Sequence, residues 1–498
     1  MLRRTAGLIG VVLAAWAAPV LADWQKEVLN VNLPGEPATL DPHLQWDTDS
    51  YKVYRNIFDN LISRDPDGEI GPQIATSWTY LSPTEIEFTI QGGVTFHDGS
   101  PLGPEDVAFS VNRIIDPELR SPQLSQFNSI VEATVSGPDK VLVRTETAYP
   151  VLLAQLVKLS IVPKTYVESV SAEEFNQRPI GSGPYRFADW QRGVAVTLEA
   201  NEGYWRGKPP FGRVVFSAVP DVATRIANLR TGRADLIRAL TPDDAIALAG
   251  ESGVQVLPIP TERVAYMFIN ALAGPTADLR VRRAIAHAID RQLLVDALMG
   301  GYAQPTNIVL TPVSVGYVEG IPAYPFDLDR ARELVREAGA EGAELVFLTS
   351  PAYDARVVQA LQQMVQETGL VVNLAFSDQP TFLRRRQGPA EDAGSLSIGN
   401  WSCACQDADG VIFPLFRSGS IWSKYNNPEF DAAVDAAREV LDEAERLEHY
   451  RRAFEILYED VPGLGLYQVY AIYAARSNLV WQPTPNEAFF VFEMGWKS

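Results

Sequence analysis

Residues Gly93–Ile114 read Gly-Val-Thr-Phe-His-Asp-Gly-Ser-Pro-Leu-Gly-Pro-Glu-Asp-Val-Ala-Phe-Ser-Val-Asn-Arg-Ile, and this stretch decides the fold. Apolar Val94 and Phe96 alternate with polar neighbours, which predicts a half-buried strand. Asp98–Gly99 supplies the positive φ that a tight turn needs. Pro104 suits the first position of a helix, because its missing N–H would have no partner there. The stretch therefore predicts a strand, a tight turn and a helix.

The predicted helix is amphipathic and matched to its own dipole. Glu105 and Asp106 lie in the first turn, where the helix dipole favours negative charge. Val107, Val111 and Ile114 recur at helical spacing and give the helix one apolar face. By these features alone the segment is a well-formed piece of scaffold.

The composition indicates a folded, acidic chain with more than one domain. Its 498 residues are enough for two or three domains. Hydrophobic residues make up 46% and charged residues 21%, which is typical of a globular protein. The net charge of −20 argues against nucleic acid and anionic membrane surfaces as partners.

The N-terminus has the three parts of a secretory signal peptide. Two arginines near the start precede an apolar run, Leu8–Trp16, and small residues precede a cut after Ala22. The run is short and Pro19 breaks it, which argues against a membrane anchor. The surroundings of the arginines favour ordinary secretion over twin-arginine export, and without a Cys near the cut no lipoprotein is expected. We therefore expect residues 1–22 to be removed and the mature protein to be soluble in the periplasm.

The stretch quoted above resembles the signature block of the peptide, opine and nickel family of solute-binding proteins of ABC transporters. That family writes the block as a Phe-His-Asp-Gly-x-Pro-Leu turn followed by a Glu-Asp-Val helix, and both occur here, at Phe96–Leu102 and Glu105–Val107. Further family landmarks extend over nearly the whole mature chain: Leu40–Pro42, Pro72–Ala75, Gly181–Phe187, Asn201–Trp205 and Asp290–Arg291.

The resemblance implies an α/β fold, the two-lobed periplasmic binding protein of type II, cluster C, with an extra α+β domain inserted in lobe I. The ligand would bind in a cleft between the lobes, which close on it by a hinge motion. The expected division is lobe I at 23–50, 181–263 and 471–498, the inserted domain at 51–180, and lobe II at 264–470.

Apolar patterns predict the main elements of the two lobes. Val28–Leu33 predicts an opening strand, and Arg280–Leu298 predicts one long amphipathic helix. Residues 345–376 show a strand, a helix and a strand in turn, which is the βαβ unit of a parallel sheet. Leu464–Ala475 predicts a strand that returns towards the first lobe, and residues 51–65 carry a helical pattern.

Trp401 is the first candidate for ligand contact. It follows the strand-like Leu396–Ile398, and ligands of α/β lobes bind at such strand ends, where a Trp offers a flat apolar wall. The alternative is a Trp in the core. By resemblance, dipeptide binders hold the ligand's α-amino group with an Asp three residues later, where this chain has Ala404. Asp407 matches a later family Asp; it or Asp409 would replace the missing acid, unless the ligand lacks a free amine.

Arg356 is the second candidate. It aligns with an Arg that clamps the ligand carboxylate in dipeptide binders, and a guanidinium forms two parallel hydrogen bonds to a carboxylate. The alternative is a solvated helix Arg. Asp41 and Tyr185 are expected at the edge of the cleft, whereas the basic run Arg384–Arg386 is interpreted as a solvated helix face.

The two cysteines, Cys403 and Cys405, are separated by one residue. An oxidising compartment permits a disulfide, although closure across one intervening residue is geometrically demanding. Two free buried thiols are the second interpretation. A soft-metal site is the third and the least favoured, because the sequence supplies no further ligands nearby.

The function predicted from these observations is solute binding for transport. The sequence shows no nucleophile elbow, no zinc-protease motif and no phosphate-binding loop. We predict the periplasmic substrate-binding component of an ABC importer, which captures a small peptide or a peptide-like or opine-like solute. Its expected partners are inner-membrane permease subunits with cytoplasmic ATPases, and we expect a monomer without cofactor, metal or nucleic acid. The alternatives are a binder of a metal chelate or an oligosaccharide and, in a different class, a secreted hydrolase.

Overall fold

The computed structural model describes residues 27–45, 47–65, 68–403 and 405–497. The predicted signal peptide and Ala404 lie outside these described residues. Within the described ranges, no helix is both long enough and apolar enough to cross a membrane.

The strands are, in chain order, β1 Val28–Leu33, β2 Ile62–Arg64, β3 Ile70–Pro72, β4 Ala75–Ser82, β5 Glu85–Ile90, β6 Ile130–Gly137, β7 Lys140–Thr145, β8 Tyr185–Gln191, β9 Ala195–Ala200, β10 Arg213–Ala218, β11 Leu236–Arg238, β12 Val254–Ile269, β13 Ala303–Pro305, β14 Glu344–Thr349, β15 Val371–Phe376, β16 Leu396–Trp401, β17 Gly463–Arg476, β18 Leu479–Val480 and β19 Gly495–Trp496. The helices are α1 Thr48–Tyr54, α2 Pro104–Ile115, α3 Leu124–Phe127, α4 Leu152–Leu156, α5 Lys164–Ser169, α6 Ala172–Gln177, α7 Val222–Arg230, α8 Pro242–Leu248, α9 Leu279–Ala288, α10 Arg291–Leu298, α11 Leu328–Glu337, α12 Ala355–Gln366, α13 Gln379–Gln387, α14 Asp409–Phe416, α15 Pro428–Ala437 and α16 Glu443–Asp460.

One large sheet runs through both lobes. Its strand order is β15-β14-β16-β12-β17-β11-β1-β10-β9-β8, and β13 pairs with β17 at the side. In the first lobe β1 runs parallel to β10 and β11, and in the second lobe β14 runs parallel to β15 and β16. The long strands β12 and β17 are antiparallel partners that belong to both lobes. The predicted two-lobed α/β fold with crossing strands is confirmed.

The pairing of β12 with β17 breaks at the point where these strands pass from lobe to lobe. Pro260 and Val264 are paired with β17 on either side of the break, and the register skips residues 261–263. Gln468 Nε2 donates to the carbonyl oxygen of Thr261 at 2.8 Å, so a side chain bridges the break. We call residues 261–263 the crossing segment.

A separate four-stranded antiparallel sheet, in the order β4-β5-β7-β6, lies within the first lobe's sequence, and α2 packs on it. The apolar core around this sheet draws on residues from Leu61 to Ile161. Val53 and Phe58, in contrast, pack with the strands of the first lobe. The expected bounds of the inserted domain, 51–180, stay a prediction.

The helix predicted in the opening stretch is confirmed. It spans Pro104–Ile115, and its apolar face is buried in the core of the inserted domain. The Asp106 carboxylate accepts a hydrogen bond from the Gly103 N–H at 3.0 Å, which satisfies a donor at the start of the helix.

The strand predicted at Val94 and Phe96 is wrong. Both side chains are buried, but Thr95 between them makes only an isolated bridge with Pro101. The alternation comes from a loop that folds back on itself and directs every second side chain into the core.

Two predicted helices are also shorter than their apolar patterns. Arg280–Leu298 is two helices, α9 and α10, because the Asp290 side chain accepts from the Leu293 N–H and caps a new helix. The pattern at 51–65 ends as a helix at Tyr54, and its remainder includes strand β2.

The turn of the opening stretch is held by hydrogen bonds to Gly181 and Gly183, which are distant in sequence. The His97 N–H donates to the Gly181 carbonyl oxygen at 2.8 Å, and His97 Nε2 lies 3.0 Å from the Gly183 carbonyl oxygen. A Cβ at Gly181 would lie 2.1 Å from the carbonyl oxygen of Ile57. Only glycine allows this close approach of three backbone segments.

Gly181→Ala should therefore destabilise the protein by about 2–3 kcal/mol, because the added methyl group must displace backbone. Chemical denaturation followed by circular dichroism measures this change. Gly92→Ala is the matched control, since a Cβ at Gly92 meets nothing within 4 Å. Equal denaturation midpoints for the two variants would contradict the packing argument.

Candidate functional site

One parallel strand of each lobe ends beside the crossing strands. In the first lobe β11 ends at Arg238, beside the crossing strands. In the second lobe β16 ends at Trp401, which pairs with Val264 directly after the break. Ligands of open α/β sheets bind outside such strand ends, so the cleft between the lobes is the candidate site.

A cavity of about 350 Å³ opens on the first-lobe side of the crossing segment. Its lining includes Arg238, Thr261, Arg263, Tyr470 and Glu487. This volume lies within the range of small-molecule sites. The wall combines strand backbone, the rings of Tyr470 and Tyr473, and charged side chains of both signs.

The charges of this cavity are paired with one another. Glu487 lies 3.0 Å from Arg263, 3.4 Å from Arg238 and 4.0 Å from Lys52. Arg238 also contacts Asp49. Burial lowers the pKa of Lys52 to about 7, whereas the three cations outweigh burial at Glu487 and hold its pKa below the ordinary value.

Glu262 of the crossing segment differs from these paired acids. Its side chain is 5% exposed, and its Oε2 atom has no hydrogen-bond partner. Burial, with the nearby charge of Glu487, raises the pKa of Glu262 to about 7. The carboxyl group is thus buried, and in the part of the chain that the structure describes it forms no ion pair.

Two cations influence Glu262 from the inserted domain. Lys158 and Arg64 act on it electrostatically, yet neither forms an ion pair within the described part of the chain. Lys158 Nζ donates to Gln126 at 3.0 Å, and burial lowers the pKa of Lys158 to about 8. We call Arg64, Lys158 and Glu262 the hinge cluster.

Arg64 also connects the hinge cluster to the second lobe. Its Nη2 atom donates to the carbonyl oxygen of Cys405 at 3.0 Å, and its Nε atom has no partner. Cys405 forms a disulfide with Cys403, and its buried side chain packs against Val151 and Ala154 of the inserted domain. The loop that holds Cys403, Cys405 and Asp407 therefore joins the second lobe to the inserted domain.

The predicted acid Asp407 lies in an internal ion pair. Both of its carboxylate oxygens accept from Arg446, at 2.9 and 3.0 Å, and Tyr450 donates at 3.1 Å. Asp409 lies 3.0 Å from Arg438, and burial raises the pKa of Asp409 to about 6. Both carboxylates thus brace the loop from inside the second lobe.

The predicted carboxylate clamp is likewise engaged within the chain. Arg356 is half exposed, and its guanidinium lies 2.9 Å from Asp354. It also lies 3.2 Å from Asp243 at the start of α8 in the first lobe. Arg356 thus joins the rims of the two lobes.

The remaining predicted residues do not come together. Asp41 is fully buried and forms a two-point ion pair with Arg113, at 2.6 and 3.0 Å. Tyr185 is fully buried in the first-lobe core. Trp401 is partly exposed at the end of β16, where its Nε1 atom donates to the Gly410 carbonyl oxygen at 2.9 Å. Ala404 lies outside the described residues.

The interpretation of Arg384–Arg386 as a solvated face is wrong for its last residue. Arg386 is 2% exposed, and its guanidinium lies 3.5 Å from the centre of the Phe268 ring. The sequence of α13 does not predict the burial of Arg386. An Arg that packs on aromatic rings cannot be distinguished in sequence from a solvated Arg.

The sequence carried one signal for the hinge cluster that was missed. Glu262 is an acid at the junction of two apolar runs, 254–260 and 264–269, in a segment that had to cross between lobes. An acid in such a place is either paired or functional. Arg64 and Lys158 offered no comparable signal, because they meet Glu262 only through the fold.

The two α/β lobes, the crossing strands and the charged cleft define a two-lobed solute-binding protein. The model of the family described as "bacterial extracellular solute-binding proteins, family 5" matches residues 69–423. The chain therefore belongs to this family. Members are binding components of ABC importers, so the chain is a transport protein and not an enzyme.

The chain is similar to proteins with different stated ligands. The glutathione-binding protein GsiB of Salmonella typhi is 27% identical over 489 residues, which cover 95% of this chain and 94% of that protein. Heme-binding protein A of Haemophilus influenzae is 27% identical over 462 residues, covering 86% and 83%. The solved structure of the ABC transporter substrate binding protein CtaP from Listeria monocytogenes matches with a TM-score of 0.87 at 23% identity, covering 95% and 99%.

Asp407→Asn should lower the free energy of unfolding by about 3–5 kcal/mol, because it leaves the Arg446 guanidinium buried without an anion. Urea denaturation followed by circular dichroism measures this loss. Glu429→Gln is the control, because Glu429 forms an exposed ion pair with Arg452 and should unfold like the wild type. If Asp407→Asn also unfolds like the wild type, Asp407 does not brace the loop.

The cysteine pair should resist alkylation until it is reduced. Denatured protein treated with iodoacetamide should keep its unmodified mass, and prior reduction should add two alkyl groups, one for each cysteine of the chain. Intact-mass spectrometry distinguishes the two states. Alkylation of unreduced protein would show free thiols and would contradict the disulfide.

Proposed function

We propose that this protein captures a small peptide or a peptide-like or opine-like solute in its cleft and delivers it to the membrane permease of an ABC importer. The observation that carries the proposal is the hinge cluster. It places one buried acid and two cations at the lobe crossing, none of them in an ion pair within the described residues. Such groups are the complement of a solute that carries both an ammonium group and carboxylates.

The signs of the charges narrow the solute class. Two cations against one acid favour a ligand with more carboxylates than ammonium groups. A neutral sugar would leave all three groups without a counter-ion in a closed cleft, which is costly. Trp401 at the end of β16 supplies an apolar wall beside the same strand ends.

The names of two relatives agree with an anionic solute. Glutathione is a peptide-like molecule with two carboxylates and one ammonium group, and heme carries two propionates. Relatives with 27% identity leave the choice between such ligands open, and the hinge cluster favours the peptide-like one because it includes an acid for the ammonium group.

The proposal includes the setting in which the protein acts. Cleavage after Ala22 would release a soluble, monomeric protein without a lipid anchor into the periplasm, where it would meet permease subunits coupled to cytoplasmic ATPases. The parts of the inserted domain that would take part in hinge closure are Arg64 and the surface around Val151, which contact the second lobe.

Lys158→Met should lower the affinity for glutathione or a tripeptide by at least about tenfold, because it removes a cation that faces the ligand carboxylates. Isothermal titration calorimetry with glutathione, trialanine, octopine, maltotriose and a nickel–histidine chelate tests the solute class. Peptide or opine binding is the expected result.

Lys140→Met is the matched control, because Lys140 is an exposed lysine of the same inserted domain. It should bind like the wild type. Binding of maltotriose or the nickel chelate, with no heat from the peptides or the opine, would overturn the proposed solute class. Equal loss in the two lysine variants would remove the hinge cluster from the argument.

A further inference from the structure

The acids around the cleft differ in whether their carboxylates are already neutralised. Most of them are engaged by a cation at 2.9–3.4 Å, and these acid–cation pairs are Asp407 with Arg446, Asp409 with Arg438, and Glu487 with Arg238 and Arg263. An acid in such a pair is a poor acceptor for a ligand cation, because binding would have to break an existing contact.

Glu262, whose chain neighbours Thr261 and Arg263 line the cavity, differs from these acids. Its Oε2 atom accepts no hydrogen bond, and within the described ranges of the chain its carboxylate forms no ion pair. The remaining electrostatic contact of the group is with its own backbone N–H and with charges farther away. A buried carboxyl group in this condition lacks one strong donor.

The position of Glu262 gives a reason for the missing donor. It lies in the crossing segment, where β12 leaves one lobe for the other and the ladder with β17 is interrupted. Groups held there contact a solute only when the lobes close on it. A buried acid with one unpartnered oxygen at this point is therefore placed for a ligand rather than for the core.

We infer that Glu262 accepts the ammonium group of the ligand. This inference rests on the proposed function, and it names the acid that replaces the one absent at Ala404. An ammonium group has three donors, and one of them would satisfy Oε2 in a charge-assisted hydrogen bond. The ligand's carboxylates then lie towards Arg64 and Lys158, so the preferred class is an unblocked peptide or amino acid derivative and not an N-acylated one.

In the free protein the Glu262 carboxyl group is partly protonated, and a ligand ammonium group would replace this proton. The charged groups that act on Glu262 are Arg64, Lys158, Arg263 and Glu487, and Tyr51 faces it from α1. With burial they raise the pKa of Glu262 to about 7, so near neutrality part of the empty protein carries a proton on this carboxyl group. A bound ammonium group favours the ionised form, so the proton leaves when the ligand enters.

The pH dependence of binding has a definite sign. Affinity for a free-amine ligand should rise as pH increases from about 5.5 to 7.5, because less work is needed to ionise Glu262. Lys52 and Lys158 also have lowered pKa values, and their loss of charge would weaken an anionic ligand in the upper part of this range. Comparison with Glu262→Gln separates the effects, because that variant keeps both lysines and lacks the carboxyl group.

The test uses two defined pools of synthetic tripeptides, one with free amines and one N-acetylated, passed over the immobilised full-length mature protein. Retained peptides are eluted with denaturant and quantified by mass spectrometry. The wild type should retain free-amine peptides and reject the acetylated pool. Glu262→Gln should bind a retained free-amine peptide about 10–100-fold more weakly, which is the range for loss of a hydrogen bond between charged groups.

Further variants control for damage to the fold. Glu341→Gln alters an exposed acid of the second lobe and should bind like the wild type. Glu262→Asp keeps the charge on a shorter side chain and should bind better than Glu262→Gln at equal thermal stability. If Glu262→Gln fails to fold, the Glu262→Asp variant and the pH profile of the wild type carry the comparison.

The outcomes separate this inference from the proposed function. Equal retention of the free and acetylated pools overturns the role of Glu262 and leaves peptide binding in place. Selective retention of free amines that survives Glu262→Gln assigns the ammonium group to another acid and also overturns it. Retention of neither pool overturns the peptide proposal, and the inference about Glu262 with it.

Discussion

The passage of β12 and β17 from one lobe to the other is the constraint on which the rest of the structure depends. Because the same two strands pair in both lobes, one parallel strand of each lobe ends beside them. Backbone hydrogen bonding thus decides where a ligand can meet both lobes. The register break at residues 261–263 also frees one side chain, Glu262, from the usual alternation between the faces of a sheet.

Cations gather around the crossing segment although the chain as a whole is acidic. The protein has a net charge of −20, yet Lys52, Arg64, Lys158, Arg238 and Arg263 gather around the cleft. Burial of these groups lowers the pKa of the two lysines, which means that desolvation outweighs the attraction of nearby acids. Apolar residues of similar size would be less costly to stability at these positions, and the proposed ligand binding gives the charged groups a reason to be there.

The sequence predicted the scaffold better than the site for a physical reason. The helix from Pro104 and the strand Val28–Leu33 follow from local propensity, capping and apolar spacing, which act within a few residues. The strand at Val94 failed because alternation alone cannot distinguish a ladder from a loop packed on a core. The long helix failed because Asp290 was interpreted as a family landmark and not as the cap that it is.

The site was harder to predict because a charge acquires its role from its partner. Arg356 and Asp407 were chosen by alignment with a binding pattern, but their partners, Asp354 and Arg446, could not be inferred from spacing. Arg386 is the opposite case, because it was predicted to be solvated and is buried. Its partner is an aromatic ring from another element, which spacing in the sequence could not reveal. Glu262 was the one member of the hinge cluster that the sequence could have predicted, because it is an acid between two apolar runs.

The disulfide loop explains why the acid for a ligand amine would move to the crossing segment. Cys405 packs against Val151 and Ala154 from the other lobe, and Tyr149 lies in the same apolar contact. The two acids of this loop, Asp407 and Asp409, are already paired with Arg446 and Arg438. A ligand amine would have to break one of these buried ion pairs, which is costly. The crossing segment carries an acid without such a pair among the described residues, so the proposed role in amine binding falls to Glu262 rather than to the loop.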